Sequence, residues 1–167
     1  MISIGRLVLR QWRESDREPW AALNADPETM RFFPHPFSRE ESDAQLDRFA
    51  AHVEDHAYGF WAVEVDGELA GMTGISWAEG FDFSPALEIG WRFDKAFWGQ
   101  GYATEAARGA LSVGFLHAPE VVSFTAVLNE PSWRVMERLE MRRTGEFDHP
   151  RVPADSPLAR HVLYRTP

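Results

Sequence analysis

The sequence predicts a mixed α/β fold in a single domain covering residues 1–167. Short apolar segments typical of strands alternate along the chain with segments that have helical spacing. Asp66-Gly67 separates two strand-like runs, which is the pattern of a two-residue hairpin turn. Residues 86–93 read as a strand that leads through a glycine-bearing loop into an alanine-rich helix. A chain of 167 residues is long enough to bury a full core.

The predicted elements follow one another with no long linker and no internal repeat. In chain order they are strand 6–12, helix 15–23, short helix 26–32, helix 38–53, strands 60–65 and 68–77, strand 86–93, helix 103–116, strand 121–127, helix 129–139, strand 141–147 and strand 161–164.

Helix starts in the first half are predicted from capping residues. Ser15 or Asp16 is a suitable N-cap for the first helix, and Asp26-Pro27 is a suitable start for the short second one. Ser38 and Glu41 have the spacing of a capping box, so a third helix should begin there.

Glycine, proline and β-branched residues define the elements of the second half. Gly71 and Gly74 inside a strand indicate a bulge or a close packing contact. Residues 121–127 are rich in β-branched residues and favour a strand. Pro131 suits the first turn of the next helix, and the proline-rich segment 150–157 should be an exposed loop.

The loop between strand 86–93 and the following helix is a candidate anion site. Gly99 and Gly101 permit positive φ and leave space for a close ligand, while the first N–H groups of the helix remain unpaired. A strand-to-helix turn also needs glycine for its own geometry, so the pattern alone leaves both interpretations open. The spacing matches neither the P-loop nor the dinucleotide-binding fingerprint.

Composition restricts the classes of partner. The 17 basic and 26 acidic residues give a net charge of −9, which disfavours nucleic acid as the main partner. An acidic surface attracts a cationic acceptor, although it is also a common solubility feature. Cysteine is absent, which excludes disulfides and a thiol nucleophile and suits a cytoplasmic location. No apolar run approaches the length that spans a membrane.

Four segments together resemble a known family. They are residues 98–106 (WGQGYATEA), 129–137 (NEPSWRVME), 6–10 (RLVLR) and 161–165 (HVLYR). Together, and in their order along the chain, they resemble the GCN5-related N-acetyltransferases (GNAT), in particular the Rim-type branch that acetylates the N-termini of ribosomal proteins. The resemblance spans nearly the whole chain.

The resemblance implies a central sheet that splays apart to hold acetyl-CoA. The pyrophosphate would lie on the glycine loop and first helical turn, and the pantetheine arm would pair with residues 91–93 as an extra strand. Asn129 would bind the pantetheine arm, and Ser132 would lie near the sulfur. The implied cofactor-binding residues are Trp91, Arg92, Phe93, Trp98, Gly99, Gln100, Gly101, Tyr102, Ala103, Thr104, Asn129 and Ser132.

Two positions depart from the family pattern. Trp98 stands where the glycine loop of the family often begins with Arg or Gln, so a side-chain contact to phosphate is lost. Glu140 stands where the family frequently has a glycine C-cap, which predicts a different end for helix 129–139.

Direct attack of an amine on the thioester needs a base and a proton donor. Glu88, flanked by Leu87 and Ile89, is the candidate base, because apolar neighbours raise the pKa of a carboxyl group. The alternative is a structural or solvent-facing glutamate. Ser132 is the candidate acid that protonates the thiolate, and the alternative is an ordinary first-turn serine.

Other polar and aromatic residues are weaker candidates. The histidines show no metal-ligand spacing, so no metal is expected; His35, His149 and His161 would be structural or exposed. Four aromatic residues would line an acceptor pocket or belong to the core: Phe33, Trp77, Phe81 and Phe83.

The leading functional hypothesis is an acetyl-CoA-dependent N-acetyltransferase acting on a primary amine. The amine would belong to a protein or peptide N-terminus or to a small cationic molecule. The alternative is a non-catalytic acyl-CoA-binding or regulatory module of the same fold. A homodimer is plausible for this fold.

Overall fold

A computed structural model describes all residues 1–167 and contains eight strands and four α-helices. In chain order they are β1 (Ile2–Ile4), β2 (Leu7–Arg10), α1 (Arg17–Ala25), α2 (Arg39–His56), β3 (Phe60–Val65), β4 (Glu68–Ala78), β5 (Ala86–Phe93), α3 (Tyr102–Gly114), β6 (Val121–Ala126), α4 (Glu130–Arg138), β7 (Arg142–Asp148) and β8 (Arg160–Arg165). The prediction of a mixed α/β fold is confirmed.

One sheet runs through the whole molecule in the order β1-β2-β3-β4-β5-β6-β8-β7. Every neighbouring pair is antiparallel except β5 and β6, which are parallel. Helix α3 packs on one face, in the core that contains Leu87 and Ile89 of β5. Helices α1 and α2 cover the other face, where Trp20 and Leu46 pack with Met72 of β4.

The short helix predicted over residues 26–32 is wrong, because the segment forms turns. Asp26 ends α1 in an extended conformation, and its carboxylate accepts from the N–H and hydroxyl of Thr29, both at 2.8 Å. The same carboxylate bonds Lys95 at 2.9 Å. One backbone bond of helical type remains, from the Met30 N–H to the Asp26 carbonyl at 3.0 Å, but it is not repeated along the segment. The sequence reading also missed β1 at the start of the chain.

The two N-caps of α1 and α2 differ in kind. The Ser38–Glu41 capping box is confirmed: the Ser38 hydroxyl accepts from the Glu41 N–H, and the Glu41 carboxylate accepts from the Ser38 N–H at 2.8 Å. Asp16 precedes α1 but makes no side-chain cap of that helix. Its buried carboxylate instead binds both terminal nitrogens of Arg10, at 2.7 and 2.9 Å.

The β3–β4 hairpin and its glycines are confirmed. Asp66 and Gly67 both take positive φ, 51° and 86°, as a hairpin turn of this type requires. The register shifts between Val63 and Glu64, next to Gly71, so the predicted bulge is present. A Cβ at Gly74 would collide with the backbone of Gly59. This position therefore needs glycine for close packing.

The end of α4 differs from the prediction. Glu140 takes φ 64°, and its N–H bonds the carbonyl of Glu137 at 2.9 Å while the N–H of Met141 bonds that of Met136 at 3.1 Å. This is the left-handed cap that glycine usually forms. The helix ends in the usual way, and the glutamate bears the conformational strain.

Candidate active site

Strands β5 and β6 part soon after they begin to pair. Only Leu87 with Val121 and Glu88 with Val122 are in register. The last link is a side-chain bond, from the Ser123 hydroxyl to the Ile89 carbonyl at 2.9 Å. Beyond it the sheet opens into a continuous cleft of ≈ 2020 Å³.

The open edge of β5 is formed by alternate residues. The carbonyl of Ile89 points toward β6, and backbone groups along a strand point alternately to its two sides. Trp91 and Phe93 therefore present their N–H and C=O groups to the gap. The Phe93 carbonyl is already bound by the indole N–H of Trp98 at 2.9 Å. Trp91 thus offers the free backbone pair that a pantetheine amide needs.

Arg92 does not belong to this edge, although the sequence reading placed it there. It pairs with Met72, and the next residue of the same orientation, Asp94, donates its N–H to the Ala70 carbonyl of β4. The Arg92 backbone consequently faces β4. Its side chain points to the sheet face that α1 and α2 cover, together with that of Glu88.

The glycine loop leads into a helix start without a side-chain cap. Gly99 and Gly101 have φ 74° and 84°, in the left-handed region. The first backbone bond of α3 is made by the N–H of Glu105, so those of Tyr102, Ala103 and Thr104 remain free. These N–H groups and the positive end of the helix dipole form an anion site.

Arg6 lies between β1 and β2, at one edge of the sheet, and holds this loop in place by hydrogen bonds. Its Nη2 donates to the Gln100 carbonyl at 2.9 Å, and its Nε and Nη2 bind the Glu105 carboxylate at 3.1 and 2.8 Å. Its guanidinium also lies 4.5 Å from the centre of the Tyr102 ring. Sequence reasoning missed this role, since the contact joins residues 99 positions apart.

We expect Arg6→Gln to raise the KM for acetyl-CoA by about tenfold, because a charge-assisted anchor of the loop is lost. The kcat should change little, since Arg6 contacts only the loop and the start of α3. Steady-state kinetics with varied acetyl-CoA measure both constants. Arg165→Gln is the control, because it removes an arginine paired with Glu120 outside the cleft. A fall in kcat without a change in KM would contradict this role.

Trp98 brings a different arginine to the loop. The guanidinium of Arg31 lies 4.9 Å from the centre of the Trp98 ring and 4.6 Å from that of Phe32. Arg31 and Trp98 both line the cleft. The position where the family often has Arg or Gln thus holds an aromatic residue that supports a cation from another segment.

The opposite wall is the start of α4. The Asn129 side chain is the N-cap: its Oδ1 accepts from the Ser132 N–H at 3.4 Å, and its Nδ2 donates to Thr125 at 2.9 Å. The Ser132 hydroxyl makes no bond within the protein and lines the cleft. Asn129 therefore orients this turn, and Ser132 keeps a free hydroxyl.

Glu88 is half-buried and lines the same cleft. Burial raises its pKa to about 8, and the positive charge of Arg151 acts in the opposite direction. A carboxyl group with this pKa exchanges a proton near neutrality. Gly90, the next residue on this face of the strand, leaves the space beside it unfilled except for Phe60, 3.2 Å from where a Cβ would lie.

The four aromatic residues proposed for an acceptor pocket do not lie together in the structure. Phe33 lines the cleft, whereas Trp77 does not and is 42% exposed. Phe81 and Phe83 stack on each other at 5.0 Å and pack in a cluster with Phe124.

All three histidine candidates border the cleft. Burial lowers the pKa of His149 to about 4 and also lowers that of His161. Both rings are therefore neutral at pH 7.

The cleft brings together nearly all the residues predicted for the site. Its lining includes Glu88, Trp91, Arg92, Phe93, Trp98, Gly99, Gly101, Tyr102, Ala103, Thr104, Asn129 and Ser132. Gln100 is absent from the lining, because the loop turns its carbonyl to Arg6. The residues that sequence reasoning missed are arginines brought in by distant segments.

A sheet that parts beside an uncapped helix start, with a titratable carboxyl group in the cleft, defines the class of the protein: it is an acetyltransferase. It belongs to the GNAT family, since the family model for the acetyltransferase (GNAT) domain matches residues 6–142. The GNAT fold uses acetyl-CoA.

Relatives agree with this assignment. An uncharacterized N-acetyltransferase of Bacillus subtilis, YnaD, is 28% identical over 149 residues, which cover 87% of this chain and 85% of that protein. A GNAT-family acetyltransferase from Bacillus anthracis has a TM-score of 0.80 at 25% identity, covering 98% of this chain and 96% of that one. RimL, a ribosomal alpha-N-protein acetyltransferase solved with coenzyme A, has a TM-score of 0.76 at 20% identity, covering 98% and 96%. The likeness to RimL is a likeness of fold.

No helix of the protein is both long enough and apolar enough to cross a membrane.

Proposed function

We propose that this chain transfers the acetyl group of acetyl-CoA directly to a primary amine, either the N-terminus of a protein or peptide or a small molecule. The observation that carries the proposal is the position of Glu88. Its carboxyl group, with a pKa of about 8, lines the same cleft as the anion site of α3 and the free Ser132 hydroxyl.

The residues of the cleft fit the cofactor. The free N–H groups at the start of α3 match a pyrophosphate, and nothing lies within 4 Å of the space where a Gly99 Cβ would be. The free backbone pair of Trp91 matches an amide of the pantetheine arm. Acetyl-CoA supplies an activated acyl group as a thioester.

Proton transfer is divided between the two walls of the cleft. Glu88 accepts a proton from the ammonium group, which leaves a neutral amine able to attack the thioester carbon. The new C–N bond forms as the C–S bond breaks, and the electron pair of that bond leaves on sulfur. Ser132 donates a proton to this thiolate, and the Ser132 oxygen regains a proton from the nitrogen of the new amide, which becomes neutral. The chain contains no cysteine, so direct transfer is favoured over a cysteine acyl-enzyme.

We expect Ser132→Ala to lower kcat by about 10²-fold, a typical effect of losing a general acid. The KM for acetyl-CoA should stay nearly constant, because the Ser132 N–H still caps to Asn129. Ser112→Ala is the control, since that hydroxyl bonds only the carbonyl of Arg108 in α3. Full activity of Ser132→Ala would remove Ser132 from the mechanism.

The function is tested by calorimetry with acetyl-CoA and by CoA release with a panel of small amines and peptide N-termini. Binding together with release for at least one amine class supports the proposal. Absence of binding overturns it. Binding without release for any acceptor would instead indicate a non-catalytic acyl-CoA-binding module.

A further inference from the structure

Arg92 is a buried cation with no anionic partner. The residue is 7% exposed and projects from β5 on the face that α1 and α2 cover. Its hydrogen bonds use only Nη1, which donates to the amide oxygens of Asn24 at 2.5 Å and Gln45 at 3.2 Å. Both acceptors are neutral. Buried charges in proteins are normally paired, so this exception calls for an explanation.

The free edge of the guanidinium is the one that suits a carboxylate. Nε is buried without any hydrogen-bond partner, and Nη2 makes no bond to the protein. These two nitrogens lie side by side and donate in parallel, which is the geometry of a bidentate bond to a carboxylate. The Nε and Nη2 donors of Arg92 therefore have the geometry of an anion-binding site.

Aromatic rings hold the guanidinium without using that edge. Its carbon lies 4.3 Å from the ring centre of Phe33, 5.3 Å from Phe37 and 5.4 Å from Trp20. Rings that contact a guanidinium through cation–π interaction stabilise the charge. Desolvation lowers the pKa of Arg92 to about 10, so the group stays charged at neutral pH.

The charge of the cleft is opposite to that of the whole protein. Eight arginines line it against three glutamates, although the net charge of the chain is −9. Two of these glutamates, Glu105 and Glu130, are already paired with Arg6 and Arg134. The remaining acid is Glu88, which the proposed mechanism uses as the base. Arg108, Arg134 and Arg138 lie on α3 and α4 beside the proposed cofactor site, whereas Arg92 lies on β5, on the same face as Glu88.

We propose that the Nε–Nη2 edge of Arg92 binds a carboxylate carried by the acceptor, so that the substrate is an amine bearing an acidic group. This inference rests on the proposed function. Glu88 and Arg92 lie four residues apart on one face of β5, which corresponds to about 13 Å between their Cα atoms. The amine would meet Glu88 while the carboxylate, on the order of 10 Å away, meets Arg92.

Matched pairs of acceptors test the inference with the unmodified enzyme. One arm uses ω-amino acids from β-alanine to 8-aminooctanoate, each beside its primary carboxamide. The other arm uses the C-terminally amidated peptides Ala-Asp-Gly-Gly and Ala-Asn-Gly-Gly. In the arm that matches the natural acceptor, we expect kcat/KM for the acid to exceed that for its amide by at least about tenfold, mainly through a lower KM. The arm that shows this preference distinguishes a small amino acid from an acidic peptide.

Variants then test whether Arg92 causes the preference. Arg92→Met should reduce the acid-to-amide ratio to near one. Arg92→Lys should retain part of the preference, because it keeps the charge but not the planar guanidinium. Arg39→Gln is the matched control: it removes an exposed arginine of α2 that lies outside the cleft and should leave the ratio unchanged. Thermal unfolding of each variant separates loss of selectivity from loss of fold.

Three outcomes are decisive. Equal rates for acid and amide in both arms would overturn the inference and leave the proposed function standing. A preference that persists in a folded Arg92→Met variant would also overturn it. Absence of CoA release with every acid, amide and neutral amine would overturn the proposed function, and the inference with it.

Discussion

Replacing Glu88 by glutamine is expected to lower kcat/KM for the amine by about 10²–10⁴-fold, the usual contribution of a general base. Glutamine is nearly the same size, so the walls of the cleft should keep their shape. It cannot accept a proton from the ammonium group. Binding of acetyl-CoA should be unchanged, because the Glu88 side chain points to the face that α1 and α2 cover rather than to the edge that carries Trp91.

The pH dependence gives a sharper test of the same residue. Burial raises the pKa of Glu88 to about 8, and the base is active only when deprotonated. The rate of the unmodified enzyme should therefore rise with pH up to about 8, and Glu88→Gln should lose this slope. Glu68→Gln, at an exposed position of β4, is the control. A variant that retains the full rate and the same pH profile would show that another group is the base.

Stability should respond to pH in the opposite direction. The pKa of Glu88 is higher in the folded protein than its ordinary value of 4.5, so the folded state binds the proton more tightly. The contribution of Glu88 to stability is therefore fully present below the ordinary value and is lost as pH rises toward 8. A base held in this cleft costs stability at the pH where it works.

Local sequence rules predicted the elements whose partners are close in the chain. The Asp66-Gly67 turn and the Ser38–Glu41 capping box each depend on residues at most three positions apart. The positive φ angles of Gly99 and Gly101 in the glycine loop were predictable for the same reason. Segment 26–32 forms turns instead of the predicted helix, and its Asp26 carboxylate binds Lys95, 69 positions away, a contact that local rules do not include.

The charges of the cleft could not be read from composition. The net charge of −9 suggested a cationic acceptor, but the fold gathers arginines from the β1–β2 turn, α2, β5, α3 and α4 around one cleft. Arg92 looked like one residue of a backbone edge, because strand spacing does not show which neighbour each backbone group faces. Only the pairing of β5 with β4 shows that its side chain points to the face that α1 and α2 cover.

Removing Arg10 should give the largest loss of stability among the ion pairs of this protein. The Arg10 and Asp16 side chains are 5% and 4% exposed, and their two bonds are bidentate. Arg10 also binds Glu64 at 2.6 Å. Arg10→Met leaves the Asp16 carboxylate buried without its cation, which costs about 3–5 kcal/mol in comparable cases. Chemical denaturation with a constant m-value would measure this loss.

A double variant separates the uncompensated charge from lost packing. Arg10→Met with Asp16→Asn removes both charges and keeps an oxygen to accept the Arg13 N–H, now bonded to Asp16 at 2.8 Å. We expect it to recover about 2 kcal/mol relative to the single variant. Arg39→Gln is the control, because its pairs with Glu18 and Asp43 lie at the surface and should contribute nothing measurable.

The position of the Arg10–Asp16 pair in the fold predicts which kinetic constant the Arg10→Met variant would change. Asp16 immediately precedes α1, which carries the Asn24 that binds Arg92 and the Trp20 beside it. Loosening α1 should therefore raise the KM for the acceptor before it affects that for acetyl-CoA, since Arg6 and α3 hold the cofactor loop independently. An equal rise in both constants would mean that the two faces of the sheet are not energetically separate.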